Sequence, residues 1–215
     1  SINSGWGVNE WSQADLQVYL NKMYYGGTSV TCYNWQSNKT TTCPTNRLDD
    51  ASKTLIDNHT WKTGAIELSK RTDTLAFYNA ERGNVTGKIC SSGNNCNDTV
   101  ERTTEWPGHI ALPYVTDWAY ASSENDCNTK IDQSSTYICK NNNWMFKNTW
   151  YWTLSPSAYS GSSHSVWNVS SDGVAVNVSA GDDNAVFPAI YLKSNILIEG
   201  GKGTSINPYI LKAGS

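Results

Sequence analysis

The chain has 215 residues, of which 38% are hydrophobic, and a formal net charge of -3, values that fit one domain with a single core. Its 16 Lys and Arg residues form no basic stripe that could follow a phosphate backbone, so we expect no nucleic-acid binding. No run approaches the ~18 apolar residues of a membrane span, and no signal segment opens the chain. Membrane contact is expected only through an anchor that this sequence does not contain.

The first half of the chain predicts helices followed by short strands. Residues 11–25 predict an amphipathic helix, because Leu16, Tyr19, Leu20 and Met23 recur at spacings of three and four and two glycines follow. The remaining predictions are a helix over 49–58, strands over 65–68, 75–78 and 109–114, and a helical turn over 116–121 capped by Thr116 or Asp117.

The last third predicts antiparallel strands. We place them at 151–155, 165–169, 174–178 and 186–193, with Ser-Asp-Gly at 171–173 making a tight hairpin turn. Pro188 cannot donate to a sheet ladder and marks an edge or a bulge. The tail GGKGTSINPYIL adds a turn and one more short strand. Helices first and strands later predict the α+β class.

Six cysteines stand as three close pairs in the chain. Of the 15 possible pairings, the spacing favours the sequential one, and each pair closes a polar loop with little apolar content to hold it. Disulfides predict an extracellular location, whereas zinc would need CxxC spacing or His partners. The predicted disulfides are Cys32–Cys43, Cys90–Cys96 and Cys127–Cys139.

Residues 150–193 combine an apolar frame with loops of Ser, Asn, Asp and Gly. Trp150 and Trp152 are two residues apart and would share a strand face, so both are expected to be buried or both exposed, and the nearby Leu154 favours burial. The loops 157–164 and 177–184 have the composition of antibody binding loops, in which aromatic anchors stand among small polar residues. The alternative is that these small residues only make turns.

This pattern predicts a ligand-binding face formed by two strands and their flanking loops. Alternate residues of neighbouring strands share a side of the sheet, and His164 either contacts the ligand or is simply exposed. The predicted ligand-binding residues are Tyr159, Ser163, His164, Trp167, Asn168, Asn177, Ser179, Asp182, Asp183 and Asn184.

Several segments resemble a family of bacterial surface proteins. They read WGVNEWSQADLQVYLN, ERTTEWPGHIALPYVTDWAYA, CKNNNWMF, WYWTLSPS, VWNVSSDG, AVFPAIYLKSNILI and GGKGTSINPYIL, and they cover nearly the whole chain in order. The family comprises C-type lectin-like variable proteins of diversity-generating retroelements. Their fold is related to that of formylglycine-generating enzyme, and in the bacterial surface proteins the module lies C-terminal to a type IV pilin-like helix. The resemblance implies a diversifiable binding surface. Relatives often carry Arg-Pro where this chain has Phe187-Pro188.

The sequence predicts no enzymatic activity, cofactor or metal. Formylglycine-generating enzymes use active-site cysteines, and none follows Cys139. The segment GSSHS at 161–165 is not a nucleophile elbow, and nothing pairs the scattered acids Glu67, Glu81, Glu101 and Glu105 for glycoside hydrolysis. His59, His109 and His164 lack metal-ligand spacing, and the lectin calcium motifs are absent, so Gly-Asp-Asp-Asn at 181–184 is interpreted as a solvated turn.

Three hypotheses follow. The chain is an extracellular adhesion module that binds a protein or glycan, as the head of a pilin-like protein. Alternatively, it is a structural pilus subunit that meets other subunits through an N-terminal helix not present in this sequence. A carbohydrate-active enzyme is the third, and it requires carboxylates that converge in a pocket.

Overall fold

The computed structural model describes residues 7, 9–34, 39–67, 72–83, 103–123, 131, 140–158 and 164–214. Its helices are a 3-10 turn (Trp11–Gln13), α1 (Asp15–Val18) with a π-helical continuation (Tyr19–Tyr25), α2 (Asp50–Leu55), α3 (Thr74–Arg82), α4 (Val115–Tyr120) and a 3-10 turn (Lys140–Asn142). Its strands are β1 (Thr31–Asn34), β2 (Lys39–Thr42), β3 (His59–Lys62), β4 (Glu105–Gly108), β5 (Ile110–Ala111), β6 (Tyr151–Pro156), β7 (Ser165–Val169), β8 (Ala175–Ser179), β9 (Ala189–Ile190), β10 (Ile196–Gly200) and β11 (Ile210–Ala213). The mixture of helices and antiparallel strand pairs confirms the α+β class.

The predicted helix over 11–25 is present in three consecutive pieces. Leu20 and Met23 are buried, as the spacing of apolar residues predicts. The segment ends where the Gly26 N–H donates to the Asn21 carbonyl at 3.1 Å and Gly27 takes a φ of +74°, a conformation that favours glycine.

The strand prediction over 75–78 is wrong, because these residues lie within α3. The Asp73 carboxylate caps that helix by accepting the Ala76 N–H at 3.0 Å. Thr74, Phe77 and Glu81 are the buried residues of the helix, a spacing of three and four that outweighs the short apolar run at 75–78. Leu75, at 61% exposure, faces solvent.

The other predictions for the first half are confirmed in part. Helix α2 is shorter than the predicted 49–58, and the Asp49 carboxylate caps it. Of the strand predicted over 65–68, residues 65–67 are described and contain one bridge between Ile66 and Ser157. Of the strand predicted over 109–114, only the two residues of β5 form a strand. The helical turn predicted over 116–121 is present as helix α4, which begins one residue earlier. Asp117, one of the two predicted capping residues, is the third residue of the helix, and its carboxylate accepts the Tyr114 N–H at 2.9 Å.

The sheet β6–β7–β8 is antiparallel and forms the centre of the described fold. Strand β7 matches its prediction, and β8 begins one residue later than predicted. The turn predicted at 171–173 is confirmed, because the Ser170 N–H donates to the Val174 carbonyl at 2.9 Å and Gly173 takes a φ of +77°. This left-handed turn suits a tight hairpin.

The strand predicted over 186–193 is mostly irregular. Only β9 is a strand, and it pairs with β5 alone in a two-stranded sheet, so the edge predicted from Pro188 agrees with the pairing. The tail forms the β10–β11 hairpin, of which one strand was predicted and β10 was missed. Many side chains of this hairpin, including Leu197 and Ile198, are exposed.

Strand β6 separates two hydrophobic clusters and is buried along its whole length. Tyr151 belongs to the cluster that contains Phe77, Trp118 and Trp167. Trp152 and Leu154 belong to the cluster that contains Trp11, Leu20 and Trp61. Successive side chains of a strand point to opposite faces, so β6 contributes to both clusters and the N-terminal helical segment packs on one side of it.

The prediction that Trp150 and Trp152 are both buried is wrong. Trp150 precedes β6 and is 41% exposed, whereas Trp152 lies in the strand and is 9% exposed. Two residues share a face only where both belong to the strand.

One of the predicted disulfides lies within the described residues and is confirmed. Cys32 and Cys43 are bonded and close the β1–β2 hairpin. The predicted pairs Cys90–Cys96 and Cys127–Cys139 lie outside the described residues. Within the described parts of the chain, no helix has the length and apolar character needed to span a bilayer.

Candidate functional site

Two of the predicted ligand-binding residues are buried, so the expectation that they lie on an exposed face is wrong. Trp167 and Asn168 are both 0% exposed. The Trp167 ring meets Phe77 at 5.0 Å in an edge contact and belongs to the first hydrophobic cluster. Because 167 and 168 are consecutive strand residues, they point to opposite faces. Both are buried because β7 is the central strand and is covered on both sides.

The other described members of the predicted site lie around the open end of the β7–β8 hairpin, apart from Asn177, which is within β8 opposite Trp167. His164, Asn177, Ser179 and Asn184 are partly exposed, and Asp182 and Asp183 are exposed. The Ala180 N–H donates to the His164 carbonyl at 2.7 Å, which holds loop 180–184 against the start of β7. Tyr159 and Ser163 lie outside the described residues.

Loop 180–184 forms one wall of a groove. A cavity of about 230 Å³ continues into a neighbouring one of about 530 Å³, and we call the pair the groove. Its two parts share six lining residues, Asp15, Leu16, Tyr33, Trp152, Asp182 and Asp183. Asn184 lines the second part. Three predicted residues therefore meet at one concave site, which His164, Asn177 and Ser179 do not line.

The floor and the second wall of the groove come from distant parts of the chain. The floor is formed by Trp152 and Leu154 of β6 and Val166 of β7. The second wall is the N-terminal segment with Trp11 and Asp15. Because the floor residues belong to or pack on the second hydrophobic cluster, the groove rests on a rigid base.

Two contacts fix the N-terminal wall against the sheet. The Asn9 side-chain amide donates to the Ser165 carbonyl at 2.8 Å and to the Ser157 carbonyl at 3.3 Å, which ties residue 9 to the ends of β6 and β7. Gly7 lies against the backbone of Ala180, where an added Cβ would come within 2.6 Å of a carbonyl carbon. Only glycine permits this approach.

Strand β1 supplies the third side of the groove. Tyr33 lines both parts of it, and Cys32 and Pro44 line the second part. The Cys32–Cys43 disulfide links the two ends of this hairpin covalently. The polar segment between the two cysteines has little apolar content to hold it otherwise, so the bond restrains it. The disulfide therefore also stabilises one edge of the site.

The groove combines aromatic surfaces with carboxylates. Trp11 and Trp152 are mostly buried and line it, and the carboxylate residues are Asp15, Asp182 and Asp183. No Lys, Arg or His is among its described lining residues. The Trp11 indole N–H has no hydrogen-bond partner among the described residues. Such a site offers flat apolar surface, hydrogen-bond acceptors and negative charge together.

The described residues contain no group of three or more His, Cys, Asp or Glu that could hold a metal ion. In the segment interpreted as a solvated turn, the Asp182 N–H donates to the Ser179 carbonyl at 3.1 Å. His59 stacks on the Tyr191 ring at 3.7 Å, and His109 stacks on the Tyr25 ring at 3.9 Å. Partial burial lowers the pKa of His109.

The acid candidates lie apart from the groove. Glu105 is exposed and pairs with Lys62, Glu67 lines neither part of the groove, and Glu101 lies outside the described residues. Glu81 is fully buried and accepts hydrogen bonds from the Ser155 and Thr116 hydroxyls.

Burial raises the pKa of Glu81 to about 7, although those two hydrogen bonds and the neighbouring Arg82 oppose the shift. The Arg82 guanidinium lies 3.1 Å from the Glu81 carboxylate and 2.7 Å from that of Asp117. It also stands between the rings of Tyr78 and Tyr114, at 4.1 and 4.0 Å from their centroids. This network joins α3, α4 and β6, which is a structural role.

The side chain of Phe187 packs against the core and lines a second cavity. Its ring meets Tyr151 at 5.4 Å in an edge contact, and it packs against the first hydrophobic cluster. Phe187 and Pro188 also line a separate apolar cavity of about 610 Å³ beside Trp144. Phe187 therefore faces the core and this second cavity, and it does not line the groove.

Sequence reasoning missed most of the groove. Trp11, Asp15, Tyr33 and Trp152 come from three segments with no shared motif, and Trp152 was predicted only as a core residue. The signal that was present is local: the acidic loop at 182–184, which the groove uses. Comparisons with protein families, with curated proteins and with solved structures give no match to this chain.

Proposed function

We propose that this chain is an extracellular ligand-binding module that uses the groove as its site, in the manner of a C-type lectin-like adhesion head on a pilin-like surface protein. The observation that carries the proposal is the groove itself. It is concave, it is built on a buried sheet, and it contains Asp182, Asp183 and Asn184, which the sequence singles out as ligand-binding. Concave sites with a few polar groups on an apolar base are typical of ligand sites.

The placement of buried and exposed parts of the groove supports a binding role. The floor residues Trp152 and Leu154 are buried, whereas Asp182 and Asp183 are exposed and stand in a loop. Function is commonly carried by loops on a rigid scaffold, and this division allows the loop sequence to change with little cost to folding. It agrees with a diversifiable surface of the kind that the resembled family implies.

The extracellular part of the proposal is supported by the Cys32–Cys43 disulfide, since such bonds persist mainly in oxidising compartments. We further propose that the module has no enzymatic activity. Among the acids considered for glycoside hydrolysis, Glu81 lies in a buried network and Glu105 in a surface ion pair, and neither lines the groove. The carboxylates that do line it are Asp15, Asp182 and Asp183, so cleavage of any glycan that binds on the array described below would contradict this part of the proposal.

The test uses an array of immobilised cell-surface proteins and glycans. The probes are the wild-type chain, an Asp182→Ala/Asp183→Ala variant and an Asp172→Ala control, whose residue is also exposed but lies in the turn at 171–173. We expect a defined subset of spots to bind the wild type and the control, and to bind the double variant at least about tenfold more weakly. If the double variant retains every interaction, the groove is not the site.

The structural-subunit hypothesis is favoured by one observation, the exposed apolar side chains of the β10–β11 hairpin. Leu197, Ile198, Tyr209 and Ile210 are each more than half exposed, and such surfaces serve contacts between proteins. An array on which the wild type binds nothing would favour this alternative.

A further inference from the structure

We propose that the apolar cavity beside Trp144 is a second ligand site, which takes an alkyl carboxylate such as a free fatty acid. This cavity, here called the Trp144 cavity, shares no described lining residue with the groove, so the proposal does not rest on the function assigned to the groove. Four features carry it: an apolar lining, an exposed aromatic ring on a fixed backbone, the volume of the cavity and one unbalanced positive charge.

The lining of the Trp144 cavity is mostly apolar. Of its twelve described lining residues, ten have predominantly apolar side chains, and Asp117 and Lys147 are charged. A glycan carries hydroxyl groups on most of its carbons, and apolar walls would leave those hydroxyls without hydrogen-bond partners. A hydrocarbon chain gains free energy at the same walls, because binding removes apolar surface on both sides from water. The lining therefore favours a ligand with a hydrocarbon body.

Trp144 forms an exposed wall of the cavity on a fixed backbone. The side-chain amide of the preceding Asn143 donates to the Trp118 carbonyl at 2.6 Å, which holds this segment against α4. Trp144 is nevertheless 76% exposed, and Tyr120 and Ile190, which also line the cavity, are each 44% exposed. Apolar side chains that gather in one exposed patch mark an interaction site.

The inner part of the cavity is supported by the core, and its volume suits a small ligand. Tyr151 is buried in β6, and its ring meets that of Phe187 at 5.4 Å in an edge contact. Ile190 belongs to β9, which pairs with β5. The cavity measures about 610 Å³, within the ~300–1,000 Å³ of pockets that hold small organic ligands. An alkyl chain can therefore enter without rearrangement of the walls.

Lys147 supplies the unbalanced charge of the described lining. Its ammonium nitrogen lies 6.0 Å from the centroid of the Phe187 ring, and it forms no ion pair with the described residues. The Asp117 carboxylate is already engaged, because it lies 2.7 Å from the Arg82 guanidinium and accepts the Tyr114 N–H. The cavity thus presents one cation beside apolar walls. A ligand that matches both has a hydrocarbon body and a single anionic end, which is the chemistry of an alkyl carboxylate.

The probe for the test is decanoate, titrated calorimetrically into the whole chain at about pH 8, where its carboxyl group is ionised. Hexanoate has the same charge and a chain that is four methylene groups shorter. Decanol keeps the long chain without the charge, and decyltrimethylammonium reverses the charge. We expect decanoate to bind at least about tenfold more tightly than hexanoate, because each buried methylene contributes. It should bind about threefold more tightly than decanol, the small factor expected of an exposed ion pair.

Two exposed residues give variants that separate the two parts of the ligand. Lys147→Gln should weaken decanoate by about threefold and leave decanol unchanged, and Lys147→Arg should restore decanoate binding. Trp144→Ala removes a wall, so it should weaken decanoate and decanol by the same factor, on the order of tenfold. Lys202→Gln is the matched control, because Lys202 is exposed and does not line the cavity, and it should change neither affinity. Circular dichroism checks that each variant is folded.

The outcomes distinguish the alkyl carboxylate from other occupants. Absence of decanoate binding, or binding that Trp144→Ala leaves unchanged, would overturn the site, and equal binding of decanoate and decyltrimethylammonium would overturn the carboxylate. Weaker decanoate binding by Asp182→Ala/Asp183→Ala would place the ligand in the groove and refute a second site. A dimer in sedimentation that Trp144→Ala converts to a monomer would assign the cavity to a second copy of the chain. Binding to phosphatidylglycerol vesicles that the same variant abolishes would assign it to a membrane surface, and either result would replace the fatty acid.

Discussion

Replacing Glu81 by Gln should remove a pH dependence from the stability of the protein. Glu81 is fully buried, and burial raises the pKa of its carboxyl from the ordinary value of 4.5 to about 7. Between these two values the folded protein holds a proton that the unfolded chain releases. The free energy of unfolding therefore falls as the pH rises from about 4.5 to about 7, and the stabilisation is fully present only below this window.

The magnitude follows from the two pKa values. One pKa unit corresponds to about 1.36 kcal/mol, so the loss of stability across the window is about 3 kcal/mol. The amide of Gln cannot ionise and keeps nearly the shape of the carboxyl, and it can still bond the Ser155 and Thr116 hydroxyls that contact Glu81. The free energy of unfolding of Glu81→Gln should therefore not show this fall between about pH 4.5 and pH 7.

The assay is urea-induced unfolding at intervals between about pH 4.5 and pH 8. The quantity of interest is the difference between wild type and variant, because the lowered pKa of His109 contributes a dependence of opposite sign that is common to both. We expect the wild type to lose about 3 kcal/mol relative to Glu81→Gln as the pH rises. Parallel curves, or a wild type that gains relative to the variant, would refute the argument.

Three further predictions concern packing, the backbone and the disulfide. Trp152→Ala should lower the free energy of unfolding by roughly 3–5 kcal/mol, because its side chain is only 9% exposed. Trp144→Ala should change the free energy of unfolding by less than about 0.5 kcal/mol, because its side chain is 76% exposed. Chemical denaturation measures both. Gly173→Ala should cost at least about 1–2 kcal/mol, because Gly173 has a φ of +77° and an added Cβ would come within 2.7 Å of the Lys140 Cβ. Non-reducing mass mapping should recover the Cys32–Cys43 peptide pair, and removal of this bond should cost roughly 2–4 kcal/mol.

Each of these predictions has a control and a contrary result. Gly200→Ala is the backbone control, because Gly200 has no positive φ and its added Cβ would meet only the Ile210 side chain at 3.6 Å. An equal cost at both glycines would contradict the conformational argument. If Trp152→Ala unfolded with the same free energy as the wild type, the assignment of Trp152 to the core would be wrong. Recovery of Cys32 or Cys43 as a free thiol, or a Cys90–Cys127 pair, would contradict the sequential pairing.

Local features of the fold were predictable because they depend on neighbouring residues. The spacing of Leu16, Leu20 and Met23 predicts the N-terminal helix, and the glycine at 173 predicts the hairpin turn that the structure contains. The segment around Phe77 misled the prediction because its four apolar residues also fit a strand. Its helical identity depends on the more widely spaced Thr74 and Glu81, which are buried against other elements.

The site was predictable only in part, because most of it is assembled by long-range contacts. The loop at 182–184 could be recognised from its composition. Burial of Trp167 could not, since it depends on the packing of α3 and α4 against β7. The position of Trp11 beside the groove likewise depends on Asn9, whose side chain bonds carbonyls 148 and 156 residues away. Nothing in the sequence near Asn9 indicates these partners.

Amide hydrogen exchange with and without a ligand identified on the array tests the location of the site most directly. The groove predicts that ligand binding slows exchange in two segments, 11–18 and 179–186, which are distant in sequence and both contribute residues to its lining. The Asp182→Ala/Asp183→Ala variant should lose this protection at the same ligand concentration. Protection confined to the β10–β11 hairpin or to the cavity beside Trp144, with both groove segments unchanged, would contradict the assignment of the groove as the binding site.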